Sequence, residues 1–278
     1  MNSRLLDAIL DPARLSICFQ PIFRISDQRN VVRSLEALVR GPRHTNFERA
    51  DVLFDYVRRK KAEHAMDRTC LSVAFKEAME LPAHLSLNVN VHATTLAQKA
   101  GFANFLLNLA SRHSLAPNRI VVEIVEHAPA CHVPSLNASL AVLREAGIRI
   151  ALDDVGLGQS NYRMMVDCHP EYFKLDSYFV RGLKNDSRRL AVVESVATLA
   201  TSIGSAVVAE GVESKEDIAL LARMGVEFVQ ANLLCAALPI SRLREAGYLA
   251  PAKAPAEADA GSSASWKEAR KVRAAVAK

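Results

Sequence analysis

Short apolar runs alternate with stretches of helical spacing along most of this chain. The strand-like runs lie at 17–23, 31–38, 85–90, 120–126, 148–154, 172–176, 206–213 and 227–230. Between them apolar residues recur every three or four positions. This holds for 5–10, for the long section between Arg40 and Leu85 (Leu53, Tyr56, Val57, Leu71, Ala74, Phe75, Ala78), and for 95–111, 134–146, 186–203 and 215–224. Strands alternating with helices predict βα units on a mostly parallel sheet. Seven or eight such units in 278 residues fit one closed barrel, which commonly takes about 250 residues.

Polar residues interrupt or end one run after another. Glu36 sits inside Leu35-Glu36-Ala37-Leu38, where an unpaired carboxylate is costly to bury. Asn88 and Asn90 alternate at the end of the next strand, followed along the chain by Glu123 and Glu126, Asp153 and Asp154, Lys174 and Asp176, Glu210 and Glu213, and Gln230. Neighbouring strand residues face opposite ways, so the two aspartates converge only where their strand ends and its geometry relaxes. Alone, that pair and its loop Val155-Gly156-Leu157-Gly158 read equally as a solvated Asp-Gly turn or as a hard-oxygen site for Mg²⁺, Mn²⁺ or Ca²⁺. The whole series describes the rim of a β/α barrel, where several strands deliver side chains to one site.

On these residues the chain resembles the EAL-domain cyclic-di-GMP phosphodiesterases. Glu36-Ala37-Leu38, continued to Arg40, follows Gln20-Pro21-Ile22 as in that family; Asn88, Glu123, Asp153-Asp154, Lys174-Leu175-Asp176, Glu210-Gly211-Val212-Glu213, Gln230 and, more loosely, Pro239 complete the set. The resemblance implies a TIM-like (β/α)8 barrel whose first strand runs antiparallel to the rest. It also implies hydrolysis of cyclic di-GMP to linear pGpG with Mg²⁺ or Mn²⁺, two ions being the expected complement. Glu36, Asn88, Glu123 and Asp153 are implied ligands of one ion, with Asp153 bridging to a second held by Asp154 and Glu210. Glu36, Lys174, Glu210 and Asp154 are the implied catalytic group, and Gln20, Leu38, Arg40, Asp176, Gln230 and Pro239 the implied substrate contacts. The family's aspartate-pair loop reaches its dimer interface, so a homodimer through the residues after Asp154 is expected.

The chain departs from that pattern in places. The loop reads Val155-Gly156-Leu157-Gly158-Gln159-Ser160 where Phe-Gly-Thr-Gly-Tyr-Ser is usual, and Ala231-Asn232-Leu233-Leu234 stands where Gly-Tyr-Leu-Phe is common. The usual Trp and Phe-Ile-Pro after Arg40 are missing. A barrel that binds the dinucleotide or a protein partner without useful turnover is therefore the alternative reading; the full set of ligands favours the enzyme.

Composition fits a cytoplasmic enzyme. Half the residues are hydrophobic, yet none of the apolar stretches reaches the roughly 18 residues of a membrane span. The N-terminus mixes acid and base, unlike a signal peptide. Five cysteines without a Cys-x-x-Cys pair read as reduced thiols, and His127 and His132, separated by Pro129, read as incidental. We divide the chain into a barrel, 1–249, and a tail, 250–278. The tail opens with a flexible Pro/Ala/Ser-rich linker and ends in a basic segment, where Lys267, Arg270, Lys271, Arg273 and Lys278 face Glu268 alone. Contact of this segment with an anionic surface or a protein is the sharper expectation for it, a solvated tail the plainer one. Much of the formal net charge of +5 thus lies in the tail, and it says little about what the barrel binds.

Overall fold

The computed structural model describes residues 2–25, 30–98, 101–125, 133–157 and 162–251. The expectations for Glu126, His127, His132, Gly158, Gln159, Ser160 and the tail beyond Pro251 lie outside them. Eight strands, β1 (Ser16–Arg24), β2 (Val31–Arg40), β3 (Ser86–His92), β4 (Ile120–Val125), β5 (Arg149–Val155), β6 (Tyr172–Leu175), β7 (Ala206–Glu210) and β8 (Phe228–Gln230), close into a barrel in chain order. β1 is antiparallel to both its neighbours, β2 and β8, while β2 to β8 run parallel. The reason is local. Only six residues separate β1 from β2, enough for a hairpin but too few for the crossover that a parallel pair requires.

The connections carry α1 (Asn2–Ile9), α2 (Ala50–Arg59), α3 (Glu63–Glu77), α4 (Ala93–Leu96), α5 (Gly101–Arg112), α6 (Val133–Glu145), α7 (Tyr162–Cys168), α8 (Ser177–Val180), α9 (Ser187–Ser202), α10 (Lys215–Arg223) and α11 (Ile240–Glu245). Three start on side-chain caps: Asp176 accepts from the backbone N–H of Tyr178, Asp186 from those of Arg188 and Arg189, and Ser214 from that of Asp217. The single helical stretch expected over 95–111 is instead two helices, α4 and α5. The short α7, α8 and α11 have too few turns to leave a periodic signature.

Leu35, Leu87, Val89, Val91, Ile124, Ile150, Leu152 and Leu175 are all buried, and they pack with Leu53, Leu71, Phe75, Phe102, Leu106, Leu136 and Leu140 in one core. The opposite strand parity faces the barrel interior and carries the polar residues. After Arg40 the chain passes close to itself: a Cβ on Gly41 would lie 2.0 Å from the Phe47 carbonyl oxygen, so a larger residue there would require the backbone to shift. No helix among the described residues is long and apolar enough to cross a membrane.

Candidate active site

Strand register brings the inward polar residues to one end of the barrel. Gln20 pairs with Glu36, Glu36 with Asn88, Asn90 with Glu123, and Glu210 with Gln230 across successive strands. The β5–β6 register slips between Leu152 and Val155, and Asp154 takes a left-handed φ of 50°. This irregularity turns both aspartates of an adjacent pair toward the same mouth, which a regular strand forbids. Gly156, at φ 95°, completes the turn; a Cβ there would meet Phe179 Cε2 at 2.6 Å.

Lys174 is the hub. Its Nζ lies 2.6 Å from Glu123, 2.7 Å from Glu210, and 3.1 Å from both Glu36 and Asp153, while the lysine is only 2% exposed. Burial works against the ammonium, but Asp153, Glu123, Glu210 and Glu36 together hold its pKa well above the ordinary 10.5. One cation cannot balance four carboxylates. Burial and the charges of Glu36 and Asp153 push Glu123 well above the ordinary range, and burial with Asp153 and Glu36 pushes Glu210 up to about 8. Glu36 goes the other way. Burial would raise it, but Lys174 and hydrogen bonds from Asn90, at 2.7 Å, and Gln230, at 2.7 Å, outweigh that and keep it ionised.

This donor set fits divalent cations. Asp153, Asp154 and Glu210 each place one carboxylate oxygen within 4.8 Å of the others, and the cluster carries more negative charge than Lys174 neutralises. Two asparagine oxygens, Asn88 Oδ1 and Asn90 Oδ1, are buried without a hydrogen-bond partner, as is Gln230 Oε1. Asn90 is the better placed of the two: it reaches Glu36, stands level with Glu123, and borders a cleft together with Asp153 and Asp154. Asn88 lies one layer deeper, donates to Glu123 at 2.6 Å, and lines neither cleft described below. The sequence showed both asparagines, but period-two alternation puts them on one face and says nothing of depth.

Two clefts meet over the cluster. One, of about 440 Å³, runs between the ends of β2 and β3 and helices α2 and α3, lined by Leu38, Arg40, Phe54, Arg58 and His92. The other, of about 620 Å³, is lined by Gln20, Lys174, Glu210, Gln230 and Asn232. Glu36, Leu38 and Asp153 border both. His92 is a site-wall residue that no motif or spacing singles out: buried Asp67 of α3 binds its ring Nδ1 at 2.8 Å and accepts from its backbone N–H at 3.1 Å.

Other expected contacts lie elsewhere. β6 ends at Leu175, and the Asp176 carboxylate caps α8 by accepting from the Tyr178 N–H at 2.6 Å. Pro239 stands at the N-terminal cap position of α11. Neither lines either of the two clefts described above. Glu213, by contrast, lines the second cleft together with Arg181, with which it pairs at 3.3 Å.

Comparison with known proteins places the fold and the family. The cyclic di-GMP phosphodiesterase PdeL of Escherichia coli is 31% identical over 159 residues, 57% of this chain and 44% of that protein. The cyclic di-GMP phosphodiesterase RocR of Pseudomonas aeruginosa is 32% identical over 164 residues, 59% of this chain and 42% of that protein. The chain thus spans less than half the length of these relatives. An EAL domain protein from Listeria monocytogenes shares the fold, with a TM-score of 0.77 over 89% of this chain and 97% of that one at 22% identity. The manganese and cyclic di-GMP complex of BlrP1 from Klebsiella pneumoniae gives 0.69 over 83% and 65% at 25% identity. The EAL domain family model matches residues 2–237, a span that includes all eight strands and every polar side chain gathered around Lys174, and the chain belongs to the EAL domain family.

Proposed function

We propose that this chain hydrolyses cyclic di-GMP to linear pGpG in a reaction that depends on Mg²⁺ or Mn²⁺. The observation that carries the reading is the convergence of Glu36, Glu123, Asp153 and Glu210 on Lys174 beneath two clefts. Its support is membership of the EAL family and similarity to the cyclic di-GMP phosphodiesterases PdeL and RocR and to BlrP1 in its cyclic di-GMP complex. Glu36, Asn90, Glu123 and Asp153 are the donors we assign to one divalent ion, and Asp153, Asp154 and Glu210 those for a second. Asn90 here takes the place that the sequence reading gave to Asn88. Bound there, two such ions would neutralise phosphate oxygens and lower the pKa of water.

The chain's own groups do the rest. Lys174 remains cationic and offsets charge that develops on the phosphodiester. An amide ligand such as Asn90 binds without adding a further negative charge beside an anionic substrate. Two clefts on either side of one cluster suit an extended dinucleotide whose scissile phosphate lies over the carboxylates. Leu38 and Phe54 offer apolar faces to a base, and Arg40, whose Nη1 donates to the Val39 carbonyl at 3.0 Å, brings a cation to the same wall. We extend the reading to a homodimer: beyond Asp154, Leu157, Tyr162 and Val166 expose apolar surface, the last two by 69% and 66%. Chromatography of cyclic di-GMP after incubation with the protein tests the activity. Linear pGpG should form with Mg²⁺ or Mn²⁺ and not in excess chelator; turnover that survives chelation contradicts the metal-dependent reading.

A further inference from the structure

A line of side-chain amides leads from the carboxylate cluster to the lip of the second cleft. Glu36 Oε2 accepts from Gln230 Nε2 at 2.7 Å, and Gln20 Oε1 accepts from the same nitrogen at 3.0 Å. Gln20 Nε2 in turn donates to Asn232 Oδ1 at 3.0 Å and, at 3.5 Å, to the Cys235 carbonyl. Each neighbour dictates the direction of the next amide. An ionised Glu36 only accepts, so Gln230 must offer it the NH₂. That NH₂ requires the oxygen of Gln20, and the NH₂ of Gln20 then needs an acceptor on its outer side. Asn232 is the side chain that supplies it. Gln230 is only 5% exposed, so a reversed amide there would set like groups against each other with no water to relieve them.

We propose that Asn232 is a positioning residue of the site proposed above, acting on Glu36 through Gln20 and Gln230. Glu36 is pinned from two sides: Oε1 by Asn90 at 2.7 Å, and Oε2 by Gln230 at 2.7 Å and Lys174 at 3.1 Å. The relay sets the second of these. Asn232 stands where the family motif usually has tyrosine, and the exchange of an aromatic hydroxyl for an amide places an acceptor directly against Gln20. The inference depends on the proposed metal chemistry for its consequence, but the relay itself does not need it.

The experiment compares the full chain with Asn232→Leu, similar in size and without an acceptor, and Asn232→Asp, which keeps one. Side-chain amide resonances of Gln20 and Gln230 are recorded in metal-free protein, and Mn²⁺ binding is measured by calorimetry. In Asn232→Leu both sets of resonances should move and Mn²⁺ binding should weaken about three- to tenfold, the scale of one hydrogen bond. Asn232→Asp should restore binding to within about twofold of wild type. Unmoved Gln230 resonances in Asn232→Leu, or equal weakening in both variants, overturns the relay. A wild-type chain that binds no Mn²⁺ contradicts the proposed function instead, while the resonances still decide the relay.

Discussion

Replacing Lys174 with methionine, a side chain of similar length, removes the one cation at the centre of four carboxylates held 2.6–3.1 Å away. Losing one partner of a buried ion pair costs about 3–5 kcal/mol. In a domain of this size each kcal/mol moves the melting temperature by about 2–4 °C, so Lys174→Met in chelator near pH 8 should melt about 6–20 °C below wild type. The deficit should depend on pH with a definite sign. Glu210, raised from 4.5 to about 8, binds its proton more tightly in the folded chain than in the unfolded one. The stability linked to that proton is fully present below pH 4.5 and is lost as pH rises through about 8. Glu123 is raised in the same direction, and removing the ammonium raises both further. Near pH 5.5 the carboxylates of the variant relieve their repulsion by taking up protons, and its deficit shrinks. Mn²⁺ at a hundredfold its dissociation constant adds about 2.7 kcal/mol and should recover much of the loss without restoring turnover. Calorimetric melts at the two pH values, in chelator and in Mn²⁺, make the comparison. A variant within about 2 °C of wild type at pH 8 in chelator, or one with the larger deficit at pH 5.5, refutes the electrostatic account.

Asn90→Ala should lower kcat/KM by at least about hundredfold (about 2.7 kcal/mol) and weaken Mn²⁺ binding, whereas Asn88→Ala should mainly destabilise the fold, by about 1–3 kcal/mol, through its lost bond to Glu123; steady-state kinetics beside melting curves separate the two. Ca²⁺, which binds oxygen in looser geometry, should occupy the site but suppress hydrolysis in competition with Mg²⁺, read as product formed per minute. Tyr162→Asp combined with Val166→Glu should lower the molar mass seen by light scattering if two copies meet beyond Asp154, and an unchanged mass would exclude that face. Deleting 252–278 should leave melting temperature and turnover unchanged, because the last described turn already closes on the barrel through buried Leu243 and Leu249.

The barrel was legible because both faces of its strands are covered, which writes them as near-continuous apolar runs separated by amphipathic helices. Glu36 and Lys174 were legible because a charge inside such a run needs partners. Depth along a strand was not. Asn88 and Asn90 share a face, and only the folded barrel, in which Asn90 borders a cleft and Asn88 does not, shows which stands nearer the mouth. Alternation also counted Asp176 as an inward residue of its strand, but β6 stops one residue earlier and the carboxylate caps a helix too short to show in the pattern. The Asp67–His92 pair and the Gln20–Asn232 bond join positions 25 and 212 residues apart, a proximity that the closed barrel supplies and local sequence does not.

Incubation with cyclic di-GMP and Mn²⁺ in ¹⁸O-labelled water, followed by mass spectrometry of the products, tests the central claim most directly. The account predicts linear pGpG carrying one ¹⁸O on its 5′-phosphate, formed by wild type and not by Glu36→Ala or in chelator. Cyclic di-GMP recovered intact under these conditions, or labelled product formed equally by Glu36→Ala, would contradict it.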